Sequence, residues 1–147
     1  MVRDRPDQAI RLDPSYPAWA AGRFAYAYFA CDRYEDALRT LAGTSSEIYS
    51  PDIWIVHPAA LAMLGRADEA KPLVQEGVRR YPDLNVEIWA NQVGYSAEER
   101  DRFARTMRLA GFPICATPEQ IDRERERAHR ELVGDEESRA IAVNRGG

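Results

Sequence analysis

A chain of 147 residues that is 45% hydrophobic, with a formal charge of −4, is long enough to bury a core in one domain without disulfides or metals. Mild acidity argues against non-specific binding to nucleic acid or to an anionic membrane, since both need a basic patch. There is no apolar run of about 18 residues, so no spanning helix is expected. Cys31 and Cys115 stand in no metal-ligand spacing and offer no disulfide framework.

The polar opening Met1-Val2-Arg3-Asp4-Arg5-Pro6 lacks the apolar stretch of a secretory signal, and a cytoplasmic location is the expectation. Residues 19–40, rich in Ala, Tyr, Phe and Leu, read as a helix broken near Cys31-Asp32-Arg33 and resumed at Tyr34. Residues 52–81 repeat the arrangement, with the break at Gly65-Arg66-Ala67-Asp68. Each is an αα-hairpin pattern. Pro14, Pro17, Pro51 and Pro82 punctuate the boundaries, where a helix must end. Within the second hairpin, His57-Pro58 predicts a bend or a late helix start. Ser96-Ala97-Glu98-Glu99 is a capping box opening a helix over 96–111, with Phe103, Met107 and Ala110 on one face and Gly111 and Pro113 at its end. Thr117-Pro118-Glu119-Gln120 is a second such box. It opens a charged helix over 114–133 whose pairs Glu126–Arg130 and Arg127–Glu131 have i,i+4 spacing. Its apolar stripe is thin (Ile121, Ala128, Leu132), as in a solvated appendage or a partner-binding strand. The tail 134–147 reads as disordered.

An internal period is the most informative feature. Aligning the two turns pairs Ala37 with Ala70, 33 residues apart, and Pro14 and Pro82 stand 68 apart, two periods of 34. The slots of W-x2-L-G-x2-Y, A-x3-F and P are filled in the second hairpin by Trp54, Leu61, Ala70, Val74 and Pro82. In the first, Phe24, Ala25, Tyr28, Ala37 and Leu41 fill them, while Ala21, His57 and Pro58 depart from the pattern. On these residues the chain resembles the tetratricopeptide-repeat family. The resemblance implies an all-α fold: an α/α superhelix of helix hairpins with a C-terminal capping helix and a charged appended helix. Its parts would be a half-repeat over 5–14, repeats over 17–50 and 51–84, and the capping helix 96–111, together forming a domain over 1–113. Leu12-Asp13-Pro14, Pro17-Ala18-Trp19, the stretch from Arg33 to Leu38, and the run from Tyr81-Pro82-Asp83 to Ala110-Gly111-Phe112-Pro113 also resemble the C-terminal repeat region of bacterial class III adenylate/guanylate cyclase-like signalling proteins.

Chemistry-bearing motifs are not found. The chain contains no G-x-x-x-x-G-K-S/T, G-x-G-x-x-G or H-E-x-x-H, and no G-x-S-x-G. His57 falls on a packed helix side and reads as a core histidine, His129 as a solvated one, and Cys31 as a small buried hydrophobe. Neither a cofactor nor a metal is expected, and the chain is read as no enzyme. By the resemblance, the first helix of each pair lines a concave face, which would present Trp19, Tyr26, Phe29, Asp52, Ile55, Ala59 and Met63. Aromatic and Met side chains suit a groove for a peptide or helix. Packing against the half-repeat or against a second copy would use Trp19, Tyr26 and Phe29 equally well. The expected function is a non-catalytic protein-protein interaction or scaffold module with a protein or peptide partner. Self-association through the incomplete N-terminal stack is a further expectation. The alternative is a non-autonomous C-terminal remnant, or a regulatory part, of a multidomain signalling enzyme such as a nucleotide cyclase.

Overall fold

A computed structural model of the protein describes residues 16–92 and 94–144, with side chains up to 135 and at 139. The described residues are all-helical and contain no strand. In chain order they form α1 (Ala18–Ala30), α2 (Tyr34–Leu41), a 3-10 turn (Ser46–Ile48), α3 (Ile53–Met63), α4 (Ala67–Arg80), α5 (Val86–Ala90), α6 (Ala97–Ala110) and α7 (Pro118–Asn144). None of these helices is long and apolar enough to cross a membrane. The chain divides after Cys115 into two compact units, so the boundary expected at 113 falls two residues later. The half-repeat expected over 5–14 lies outside the described residues.

The turns of the two hairpins share one geometry. After α1, the N–H of Arg33 bonds the Tyr28 carbonyl at 2.9 Å and the N–H of Asp32 bonds that of Phe29 at 3.1 Å. After α3, Arg66 bonds Leu61 at 2.9 Å and Gly65 bonds Ala62 at 3.0 Å. This paired closure requires a left-handed residue just past the helix, and Asp32 (φ 59°) and Gly65 (φ 77°) provide it. For the aspartate that conformation is unfavourable. Its carboxylate offsets the cost by accepting the Tyr34 hydroxyl at 2.7 Å and an Arg102 guanidinium N–H. The next residue repeats too: Arg33 Nε donates to Asp36 at 2.7 Å, and Arg66 Nε donates to Glu69 at 2.6 Å. Ala37 and Ala70, each fully buried, then let the second helix of each pair approach the first closely. All three correspondences keep the 33-residue spacing.

α3 is the central helix and packs on α1, α2, α4 and α6. Ile53, Trp54, Ile55, Val56, Ala59, Ala60 and Leu61 are all buried, as in a helix surrounded on every side. No late start occurs at His57-Pro58, because the helix is continuous from Ile53 with Pro58 in its interior. Proline there removes one ladder hydrogen bond, but its ring is fully buried in the slot that Ala25 occupies one period earlier. α4 lies so close beneath that a Cβ on Gly77 would stand 3.3 Å from Trp54 Cε3.

α6 begins and ends as its residues predict. Ser96 Oγ accepts the Glu99 N–H at 3.2 Å, Glu99 Oε2 accepts the Ser96 N–H at 2.8 Å, and Gly111 closes the helix at φ 90°. Its placement differs from that of a helix stacked only on the last pair. It packs on α3, α4 and α5 and reaches back to α1, where the Tyr26 hydroxyl donates to Glu99 Oε1 at 2.8 Å and Asp32 binds Arg102. The driving force is burial of Phe103 and Met107, which are 1% and 0% exposed. Phe103 joins a ring cluster with Tyr26, Phe29, Trp89 and Tyr95 at centroid distances of 6.1, 6.1, 5.1 and 5.2 Å. The short α5 is capped by buried Asn85, whose side chain accepts the Ile88 N–H at 2.9 Å. It is tied to the segment after α6 by Val86 N–H to Pro113 O at 2.9 Å and Glu87 N–H to Ile114 O at 3.0 Å.

The second unit is α7. Thr117 and Gln120 form its capping box, with the Gln120 N–H on Thr117 Oγ1 at 3.3 Å and the Thr117 N–H on Gln120 Oε1 at 2.9 Å. The helix runs through Asn144 and so enters the stretch expected as a disordered tail from residue 134, of which 145–147 lie outside the described residues. Ion pairs one turn apart line its surface: Glu124–Arg127 at 2.6 Å, Asp122–Arg125 at 3.7 Å and Arg127–Glu131 at 4.0 Å.

Candidate binding cavity

Between the N-terminal half of α1 and the segment over 44–53 lies an open cavity of about 590 Å³, within the size range of ligand pockets. Both walls are fixed by packing. On one, Gly22 brings α1 against α3, since a Cβ there would meet Ile53 Cγ1 at 3.1 Å. On the other, the Ser46–Ile48 turn is held by Ser45, whose side chain accepts the Glu47 N–H at 3.3 Å. Tyr49 anchors the turn: its ring meets Trp54 at 5.5 Å, and its hydroxyl hydrogen-bonds His57 Nδ1 at 3.1 Å.

The cavity edge carries two exposed apolar residues, Trp19 (66% exposed) and Ile48 (54%). Arg23 places its guanidinium over the Trp19 ring at 5.8 Å. Asp52 also lines the cavity and accepts the Ser50 hydroxyl. Tyr26 has its phenol pKa raised, by burial first and then by its hydrogen bond to Glu99. Burial raises Tyr95 as well, with Asp52 and Glu99 adding to it. Glu99 is held below the ordinary carboxylate value by the Ser96 backbone N–H and then by the Tyr26 hydroxyl.

Of the seven residues expected on a concave face, Trp19, Tyr26 and Asp52 come together here. Phe29, Ile55 and Ala59 do not: all three are at most 1% exposed, and Phe29 is in ring contact with Phe103. The expectation that they meet a partner is corrected, because α6 of the same chain covers the side that α1 and α3 present. Met63 is half-buried near the end of α3, away from the cavity. Ile48 and Tyr49 also line the cavity and lie outside the helical periods. A lone Ile after Ser45-Ser46-Glu47 was the available signal, since an aliphatic side chain at a polar turn is unexplained by the core.

A second concavity of about 460 Å³ involves Glu35, Leu38, Arg39, His57, Leu61 and Arg66. Its cations are engaged by nearby carboxylates, Arg39 with Asp36 at 2.7 Å and Arg66 with Glu69 at 2.6 Å. Burial, and then the charge of Arg66, push the His57 pKa down. This half-buried histidine, hydrogen-bonded to Tyr49, matches the core role expected of it. Cys31 is half-buried rather than buried, Cys115 is exposed, and neither is in a disulfide. Among the described residues no cluster of His, Cys, Asp and Glu is placed to hold a metal ion. Compared with known proteins, the chain matches no family model, no curated protein and no solved structure.

Proposed function

We propose that the protein is a non-catalytic interaction module, built of tetratricopeptide-like helix pairs, that docks a segment of a partner protein in the cavity between α1 and residues 44–53. The observation that carries this reading is the position of Trp19 and Ile48, two large apolar side chains left in solvent on either side of a concave, rigidly walled site. Exposed aromatics beside a pocket are the usual anchors of protein association. The helix-pair reading is supported by the 33-residue recurrence of the left-handed turn residue, the Arg-to-carboxylate pair and the buried alanine. Docking beside α1, rather than along α3, is favoured because α6 occupies the other side.

Selection from a displayed library of random peptides tests the proposal. Peptides are expected that bind the wild-type protein and lose at least about tenfold in affinity to Trp19→Ala, as for an interface anchor. Leu109→Ala, on the exposed side of α6, serves as the control and leaves binding unchanged. A selection that yields no binders, or binders indifferent to Trp19→Ala, refutes the reading.

A further inference from the structure

Resting on the docking reading above, we infer that the cavity selects a partner segment carrying an arginine, whose guanidinium sits on Asp52 while the neighbouring apolar residue of the segment lies against Trp19 and Ile48. The charge pattern carries this. Asp52 is a carboxylate on the cavity wall, half-buried, and its hydrogen-bond donor among the described residues is the neutral Ser50 hydroxyl. Among the described residues no cation forms an ion pair with it. A carboxylate partly withdrawn from water gains most from a cation that also donates hydrogen bonds.

Among the described residues the cation on the cavity lining is Arg23, which is exposed and lies over the Trp19 indole. Its pose shows that the indole face accepts a guanidinium at this edge. Tyr26 adds a second aromatic surface, and its hydroxyl donates to the Glu99 carboxylate at 2.8 Å. Aromatic faces favour a cation. Guanidinium fits better than ammonium, because it is planar, stacks on rings, and donates two parallel hydrogen bonds to one carboxylate. Ile48 and Trp19, exposed on the same cavity, supply the apolar surface for the adjoining residue.

The test uses N-acetyl-arginyl-leucinamide as probe and its citrulline counterpart, which keeps shape and loses charge. Both are titrated into the full chain labelled with nitrogen-15. The arginine probe is expected to give saturable shifts at Trp19, Gly22, Ser50 and Asp52. Roughly tenfold weaker binding is expected for the citrulline probe and for Asp52→Asn, as for loss of a charge-assisted hydrogen-bonded pair. If Asp52→Asn unfolds the chain, the wild-type salt series decides: affinity for the arginine probe falls from low to high ionic strength while that for the citrulline probe does not. Equal binding of the two probes, or no shift at these residues, overturns the inference. Peptides selected through Trp19 that lack arginine and tolerate Asp52→Asn would overturn it too, and would leave the docking reading standing.

Discussion

Phe103→Ala is the sharpest test of the fold. Phe103 is 1% exposed and touches four other rings, the nearest being Trp89 at 5.1 Å and Tyr95 at 5.2 Å. Truncating a core phenylalanine costs about 3–5 kcal/mol, and each aromatic pair adds about 0.5–1.5 kcal/mol beyond area burial. Because the four neighbours belong to three separate stretches of chain, the site cannot collapse around the void, and a loss of about 4 kcal/mol is expected. Against a total stability of about 5–15 kcal/mol, the variant still folds in the cold. Urea unfolding followed by tryptophan fluorescence reads the effect. With a slope of about 2 kcal/mol per molar, the midpoint falls by about 2 M. Leu109→Ala, 56% exposed on the same helix, stays within about 0.5 kcal/mol of wild type. A midpoint change for Phe103→Ala no larger than that of Leu109→Ala would refute the seating of α6 on α1 and α3.

Three further outcomes are expected. Gly77→Val forces methyl groups toward Trp54, which is 1% exposed and already 3.3 Å from where a Cβ would stand. It should cost about 1–3 kcal/mol in a thermal melt, where Gly43→Ala, with open space around it, does not. Gly111→Ala meets no atom within 4 Å but must adopt φ 90°, so a backbone cost of about 1–2 kcal/mol is expected, and a null result in the same melt would deny the left-handed closure of α6. Stability should fall with acid in two stages. His57 has a lowered folded pKa, so the unfolded chain takes up that proton first, and stability declines as pH drops below the ordinary histidine value of about 6.5. Glu99 is also lowered. Its contribution is complete above the ordinary carboxylate value of about 4.3 and is lost as pH falls through the folded one. His57→Gln should remove the first stage and Glu99→Gln reduce the second, in urea midpoints measured from pH 8 to pH 3.

What was legible in the residues was local. Ser96 and Glu99 predict a helix start, and Gly111 its end, because a capping box and a left-handed closure are decided within a few residues. Both hairpin turns are legible as breaks in the helical pattern, and their alignment yields the 33-residue period and the pairing of Ala37 with Ala70. The period also marks which side of α1 and α3 is presented, but not what covers it. Phe29 meets Phe103, which arrives from much later in the chain, and no spacing rule reports that. α5 has no legible amphipathic rhythm because five residues span little more than one turn, although Asn85 is a readable cap. The second half of α7 was missed for another reason. Its stretch Gly134-Asp135-Glu136-Glu137-Ser138-Arg139 is polar and opens on a glycine, a composition that matches that of a disordered tail. The cavity was half legible: Trp19, Tyr26 and Asp52 were named, while Ile48 and Tyr49 came from a loop that periodicity does not read.

The reach of α6 back to α1 also bears on the order of assembly. Its bonds to Tyr26 and Asp32 close intervals of 73 and 70 residues, whereas each hairpin closes within a few. Short loops close first and at less entropic cost, so the two hairpins form as local units and α6 arrives as the closing step.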